Sequence, residues 1–282
     1  MVSFKNSKWA NQIIDLQKDD GSWGYFHTLS EQKKSPLTTE QALRRLSILG
    51  YTFDDKPIQK AISYLSDCLT GKCQIPDRRE KLHDWDIFTS LMLSAWIRRF
   101  TNDNPTANKT AEKWASVISS AFVGNEYNHD KYVSAYHDIL GMKPNGGRLI
   151  DFVNFYPISL TSDMYSKENE RKIFDYILNK NDGIYYIYNE ILSVSPLEFN
   201  SKKASRYISA IELLSAYKKS LCKLDFVRTW IMSHQNENGK WDMGGSVNDK
   251  LYFPLSDSWR CRETRENDCT YRINSLLQKL GS

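Results

Sequence analysis

An eleven-residue pattern occurs three times in this sequence, and it constrains the fold more than any other feature. The copies are LQKDDGSWGYF at 16–26, LNKNDGIYYIY at 178–188 and HQNENGKWDMG at 234–244. Each copy has a glutamine or asparagine four residues before a glycine, an aspartate or asparagine directly before that glycine, and an aromatic residue two positions after it. An internal repeat of this kind predicts a fold built from repeated structural units.

Each position that recurs in the three copies has a structural explanation. An Asp-Gly or Asn-Gly pair favours a turn in which the glycine takes a positive φ. The amide side chain can satisfy backbone groups left unpaired at a helix end, and the aromatic ring can pack between successive helices. An acidic ligand site at Asp19 and Asp20 is the alternative, but the position of Asp20 is occupied by Asn238 in the third copy. The pattern therefore favours a structural corner between helices.

Apolar residues between these corners recur at helical spacing, and period-2 alternation is confined to short pieces such as 184–188. About eleven helices are expected, among them a helix ending at Leu49 and helices over 54–69, 83–100, 110–123, 129–140, 167–179, 202–217, 222–235 and 266–280. The segment 141–162, with Gly146, Gly147 and Pro157, is the least clear. The helix over 83–100 is apolar nearly all round and should be buried on most sides. The pattern predicts an all-α fold of helical hairpins in two layers.

The two tryptophan-bearing corners, 17–24 and 235–241, resemble the QW repeat of squalene–hopene and oxidosqualene cyclases. Related repeats occur in the β subunits of protein prenyltransferases, and the copy at 178–188 departs from the pattern because tyrosine replaces the tryptophan. The resemblance implies an α/α toroid, in which two concentric layers of helices surround a central cavity. It covers most of the chain and implies a single toroid domain over 1–282. It also implies an isoprenoid or other apolar small molecule as substrate or ligand.

Charge and composition exclude several other classes of function. With 38 basic and 34 acidic residues the formal charge is +4, well below the basic excess of a nucleic-acid-binding protein. We expect no transmembrane segment, because no apolar run reaches about 18 residues, whereas peripheral membrane contact stays open. We also expect a cytoplasmic protein without a cofactor, since the N-terminus lacks a signal-peptide pattern and the five cysteines form no paired framework.

Asp84 and Asp86 are the candidate catalytic residues, and His83 and Trp85 beside them are candidate substrate-binding residues. Class II terpene cyclases, which the repeats resemble, protonate an alkene with an acid of an Asp-x-Asp-Asp motif. The sequence His83-Asp84-Trp85-Asp86-Ile87 lacks the last aspartate of that motif. The alternative is that the two acids stand in the first turn of a helix and complement its dipole.

Arg260, Arg262 and Arg265 are candidate substrate-binding residues at a cavity rim, where guanidinium groups could hold an anion. Acidic residues are interleaved with them, so a solvated ion-pair surface is the alternative. Tyr156 is a further candidate, because aromatic rings stabilise cations in the cavities of cation-forming enzymes. Core packing would use the same ring.

No metal site is expected. Protein prenyltransferases bind zinc through an aspartate, a cysteine two residues later and a distant histidine. Asp268 and Cys269 are adjacent, and no histidine follows His234. The family spacing is therefore broken.

Three functions remain open from sequence. The first is an enzyme that acts on an isoprenoid or lipid-like substrate inside an α/α toroid. The second is a toroid without catalysis that serves as a binding scaffold for an apolar ligand or a peptide. The third is a carbohydrate-active α/α toroid, which would need two carboxylates flanking a cleft. Oligomeric state is not determined by the sequence.

Overall fold

The computed structural model describes residues 4–27, 36–142 and 147–281. Within these ranges the chain forms eleven α-helices: α1 Lys8–Ile14, α2 Thr39–Ile48, α3 Lys56–Leu69, α4 Trp85–Arg98, α5 Pro105–Ser120, α6 His129–Leu140, α7 Phe155–Thr161, α8 Lys167–Asn179, α9 Lys202–Leu214, α10 Asp225–Met232 and α11 Arg262–Lys279. Two short strands, β1 Phe122–Val123 and β2 Glu126–Tyr127, form an antiparallel hairpin. The described chain is therefore mostly helical, as the apolar spacing predicts.

Helix boundaries agree closely with the predictions at α6 and α8, whereas α5 begins after the cap Asn104, five residues before the predicted start of the helix over 110–123. The predicted helices 129–140 and 167–179 match α6 and α8, which begin after the caps Asn128 and Ser166. The unclear segment 141–162 contains α7, which begins after the cap Asn154. Pro157 is tolerated there because the first turn of a helix needs no backbone N–H partner. Gly146 lies outside the described residues.

Helix α4 is buried on most sides, which confirms the prediction from its apolar sequence. The fully or nearly fully buried run is Leu91, Met92, Leu93, Ser94, Ala95, Trp96 and Ile97. Three other helices, α3, α5 and α7, pack against it. Burial of a run that covers a full helical circumference requires neighbours on every side, so α4 is an inner helix of this fold. No described helix is long and apolar enough to cross a membrane.

The two tryptophan-bearing corners make the same hydrogen bonds. The indole N–H of Trp23 donates to the carbonyl of Ile13 at 2.6 Å, and that of Trp241 donates to the carbonyl of Ile231 at 2.8 Å. In both cases the acceptor lies ten residues earlier, in the last turn of the preceding helix. The two side chains are 0% and 2% exposed, which confirms that these rings are buried between helices.

Each corner is also joined to the helix that follows it. The backbone N–H of Trp23 donates to the Thr39 hydroxyl in α2, and that of Trp241 donates to the Thr270 hydroxyl in α11, both at 3.0 Å. The amide of Gln17 donates to the Gly21 carbonyl at 2.9 Å, and the same bond recurs in the last copy. The structural interpretation of the repeat is therefore confirmed for these two copies.

The middle copy keeps only the turn. Gly183 has a positive φ of 61°, as Gly21 and Gly239 have positive φ values of 93° and 72° at the other two corners. Its aromatic residue, Tyr185, is 69% exposed, and the Asn179 amide donates back to Asp175 within α8. A turn is a local property of the chain, whereas a clamp needs two helices to enclose the ring.

The first and last parts of the described chain contact each other. The indole N–H of Trp9 donates to the Ser256 carbonyl at 2.9 Å, and the backbone N–H of Lys8 donates to Asp257 at 2.8 Å. The ring of Phe4 lies 4.9 Å from that of Tyr271 in an edge-on arrangement. Helix α1 is therefore fastened to the segment that leads into α11.

Candidate functional site

The structure has an open cavity of about 1470 Å³. Its wall is formed by residues of α1, by the first half of α2, and by residues within the segments 148–154, 180–189 and 249–252. Both polar and apolar side chains line the wall.

Glu40, in the first turn of α2, is the most enclosed charged group of the wall, with 1% of its surface exposed. The hydroxyl of Tyr186 donates to one carboxylate oxygen at 2.6 Å, and Arg44 donates to the same oxygen at 2.9 Å. The hydroxyl of Tyr156 donates to the other oxygen at 2.9 Å. The His27 ring nitrogen lies 4.0 Å away. Glu40 is therefore a hydrogen-bond acceptor held in place by three donors.

The partners of Glu40 keep their protons. Burial raises the pKa of Tyr156 well above its ordinary value, and the nearby Glu40 charge adds to that effect. Burial and Glu40 raise the pKa of Tyr186 in the same way. Burial lowers the pKa of Arg44, but the opposing effect of Glu40 and the neighbouring phenols is larger, so the net shift of this pKa is upward. The cluster is thus a fixed set of donors around one acceptor.

Arg99 is not part of the cavity wall, and it has no acidic partner in the described parts of the chain. It follows the last residue of α4, and its guanidinium donates only to the Ser159 hydroxyl, at 3.2 Å. Arg99 and Arg44 both lie over the same two rings: Arg99 is 5.3 Å from Trp96 and 5.4 Å from Phe155, and Arg44 is 5.6 Å and 4.5 Å from them. We call these two residues the Arg44–Arg99 pair.

Arg99 is both solvent-accessible and desolvated. Its side chain is exposed, yet the surrounding protein lowers its pKa to about 10, first through burial and then through the charge of Arg44. The two properties coexist for a side chain in a concave part of the surface, where water has access but protein encloses it from most directions. A guanidinium in that position, with one hydroxyl as its hydrogen-bond partner, has donors available for an anion.

The cavity wall as a whole carries more positive than negative groups. Its basic side chains are Arg44, Arg45, Arg148, Lys180, Arg206 and Lys250, and its acidic ones are Glu40, Asp151, Asp182 and Asp249. Glu40 is paired with Arg44, and Lys180 contacts both Asp151 and Asp182. Arg148, Arg206 and Lys250 form no ion pair within the described ranges. The surplus favours an anionic ligand over a cationic one.

The predicted catalytic residues lie elsewhere. Asp84 is the N-cap of α4, and its carboxylate accepts from the backbone N–H groups of Asp86 and Ile87 at 3.1 Å. Asp86 is exposed and lies 3.5 Å from Arg79. Neither carboxylate is part of the wall of this cavity. These positions match the helix-capping alternative, and a catalytic role for Asp84 and Asp86 stays a prediction.

Of the predicted substrate-binding residues His83, Trp85 and Tyr156, only His83 lines the cavity. His83 lines the cavity and contacts Glu80 at 2.8 Å, whereas Trp85 packs its ring 6.3 Å from that of Phe88. Tyr156 is buried and donates to Glu40, as described above.

The three candidate arginines are not on the cavity wall. Arg262 pairs with Glu266 at 2.7 Å, and Arg265 makes two hydrogen bonds with Asp242 at 2.8 and 2.7 Å. Arg260 is exposed. The ion pairs match the alternative of a solvated charged surface, and a substrate-binding role of these arginines stays a prediction.

Asp268 and Cys269, the pair examined for zinc, have structural surroundings. One oxygen of Asp268 accepts from the backbone of Leu255 and Ser256, from the Ser256 hydroxyl and from the indole N–H of Trp259. Burial raises the pKa of the Cys269 thiol to about 12. In the ranges that the structure describes, no three His, Cys, Asp or Glu side chains form a group able to hold a metal ion. Asp268 fixes the segment before α11.

Sequence reasoning missed Glu40, Arg44 and Arg99. Glu40 and Arg44 are four residues apart on α2, a spacing that usually marks a weak ion pair on a helix surface. The one sequence signal for a charged site was the pair of adjacent arginines, Arg98 and Arg99, at the end of the most apolar helix. Arg98 pairs with Asp163 at 2.6 Å, and nothing local distinguishes it from Arg99.

Comparisons of the chain with protein-family models, with curated proteins and with solved structures each gave no match. The resemblance to the QW repeat therefore depends on the corners themselves.

Proposed function

We propose that this protein is an α/α toroid whose cavity binds a small amphiphilic molecule with an anionic group and an apolar body, such as an isoprenoid or another lipid-like compound. The observation that carries the proposal is the Arg44–Arg99 pair: Arg44 lines the cavity, and Arg99, which lies over the same two rings next to the wall, is exposed and has no acidic partner in the described chain.

Contacts between helices that are not neighbours in sequence support the toroid. Arg44 of α2 lies over Trp96 of α4 and Phe155 of α7. Arg272 of α11 pairs with Glu212 of α9 at 2.8 Å. The link between α1 and the segment before α11 would close such a ring, and the two tryptophan corners would be its repeated joints.

The character of the wall supports the amphiphilic ligand. Apolar side chains such as Leu16, Leu37 and Leu149 line the cavity together with Tyr185 and Tyr186. Cavities that hold drug-sized ligands measure about 300–1,000 Å³, so the volume is sufficient for a long chain. Apolar surface would take up the body of the ligand, while the guanidinium groups would bind its anionic end through charge-assisted hydrogen bonds.

Binding is favoured over cyclase chemistry. Protonation of an alkene needs a carboxylic acid that is kept protonated in an apolar cavity. Glu40 is the buried acid at the cavity, but its two oxygens already accept from Tyr156, Tyr186 and Arg44. Both oxygens are thus engaged with the protein, so Glu40 is suited to orienting its neighbours and not to contacting a substrate.

The test is calorimetric titration with chain-matched probes: decyl phosphate, decanoate, decanol and inorganic phosphate. We expect one decyl phosphate or decanoate per chain, with decanol and inorganic phosphate each about tenfold weaker or more, because each lacks one of the two contacts. Arg99→Gln should bring the affinity for decyl phosphate close to that for decanol. Arg260→Gln, which removes one exposed charge away from the cavity, is the matched control and should change nothing.

Two results would contradict the proposal. Absence of binding by all four probes would argue against a ligand cavity. Equal affinity of the wild type and Arg99→Gln for decyl phosphate would show that the Arg44–Arg99 pair does not receive the anion.

A further inference from the structure

Two cysteines that the sequence does not pair lie in contact in the structure. Cys68 is in the last turn of α3, and Cys73 follows the turn that ends this helix. Their sulfur atoms are 3.2 Å apart, and both residues are partly buried. The other cysteines have different surroundings, since Cys222 and Cys261 are exposed and Cys269 is buried.

The backbone, and not only the side chains, holds the two cysteines together. Gly71 takes a φ of 78°, which reverses the chain after α3. The Asp67 carbonyl then accepts from the backbone N–H groups of Lys72 at 2.9 Å and Cys73 at 3.3 Å. These bonds return Cys73 to the level of the last helical turn. The juxtaposition is therefore a property of how α3 ends.

We propose that Cys68 and Cys73 are a reversible modification site, a dithiol that a low-molecular-mass disulfide such as oxidised glutathione converts into an intramolecular disulfide. A disulfide bond of about 2.05 Å requires the sulfur atoms to approach by only about 1.2 Å. Rotation about the two side chains can supply this movement while the backbone hydrogen bonds stay in place.

The chemistry balances as a thiol–disulfide exchange. One cysteine loses its proton, and its thiolate attacks a sulfur of the reagent, which breaks the reagent's S–S bond and releases one small thiolate. The second cysteine, also deprotonated, attacks the protein sulfur of the mixed disulfide and releases the second small thiolate. The protein dithiol is oxidised by two electrons, and the reagent is reduced to two thiols, which take up the two protons.

The surroundings set the conditions for the reaction. Burial raises the pKa of the Cys68 thiol to about 12, with a further contribution from its hydrogen bond with Cys73. Cys68 is thus protonated at neutral pH, and exchange should accelerate as the pH rises. In contrast, hydrogen bonding around Thr264 lowers the pKa of the exposed Cys261, so Cys261 should react readily but only to a mixed disulfide.

The pair lies one short segment from the cavity. Four residues after Cys73, the Asp77 carboxylate accepts from the backbone N–H groups of Phe26 at 2.5 Å and His27 at 2.7 Å. His27 in turn faces Glu40. A disulfide between Cys68 and Cys73 would therefore link the segment 73–77, which carries Asp77, covalently to α3. The proposal stands independently of what the cavity binds.

Tryptic mapping of the full chain gives a direct test, because trypsin cleaves after Lys60, Lys72 and Arg78 and so separates the two cysteines. The protein is equilibrated in buffers of varied ratio of oxidised to reduced glutathione, its free thiols are alkylated, and it is digested. We expect peptide 61–72 linked to peptide 73–78, and a link that disappears on reduction. In Cys68→Ser that link should be absent, while the glutathione adduct at Cys261 persists.

The same titration in urea separates the fold from mere closeness in sequence. We expect the folded chain to be half-oxidised at a glutathione ratio about tenfold lower than the unfolded chain. Equal ratios would overturn the proposal, and so would separate adducts on Cys68 and Cys73 under conditions that modify Cys261.

Discussion

Replacing Trp23 by alanine should lower the free energy of unfolding by about 3–5 kcal/mol, and we expect a value near the upper limit of this range. The side chain is 0% exposed, so its removal leaves a large cavity. It also removes the indole N–H that donates to Ile13 at 2.6 Å, a hydrogen bond worth about 0.5–1.5 kcal/mol, while the Ile13 carbonyl keeps the backbone N–H of Leu16. Trp23→Phe keeps most of the ring and should lose about that second amount alone.

The middle corner supplies the matched control. Tyr185 occupies the same position of the repeat but is 69% exposed, so Tyr185→Ala should change stability by about 0.5 kcal/mol or less. Urea denaturation followed by circular dichroism measures all three variants, and Trp23→Phe keeps the comparison possible if Trp23→Ala does not fold. A loss below about 1 kcal/mol for Trp23→Ala, or an equal loss for Tyr185→Ala, would refute the view that the ring clamps two helices.

Two further predictions concern pH and metal ions. Hydrogen bonds from Arg265 lower the pKa of Asp242 below its ordinary 3.8. A carboxyl group whose pKa is lower in the folded than in the unfolded chain stabilises the fold at any pH above its unfolded pKa. This contribution is lost as the pH falls through the folded pKa. The stability difference between the wild type and Asp242→Asn, from urea denaturation between pH 6 and about pH 2.5, should therefore shrink below about pH 4; a difference independent of pH would contradict this. Chelator treatment should leave the melting temperature unchanged, and stoichiometric zinc lost on Cys269→Ser would contradict that expectation.

The enclosed polar centre shows where sequence reasoning reached its limit. The first-turn acids Asp84 and Asp86 resembled part of a catalytic motif, but the structure uses Asp84 to cap α4. Glu40 is also a first-turn acid, yet its carboxylate faces two phenols that come from 116 and 146 residues later in the chain. Asp86 and Glu40 each occupy the second position of their helix, and only the packing of other segments distinguishes them.

The sequence by itself determined the helices and the turns of the repeat, because both depend on interactions within a few residues. Helical spacing sets the buried face, and the Gln and Gly positions act within about one turn of a helix end. Burial of the aromatic ring needs a second helix, which Trp23 has and Tyr185 lacks. Tertiary structure alone decided which charges are enclosed. Arg98 and Arg99 are neighbours in sequence, but Arg98 meets Asp163 while Arg99 meets aromatic rings and the Ser159 hydroxyl. The environment of a charge depends on which helices face each other, and that follows from long-range packing.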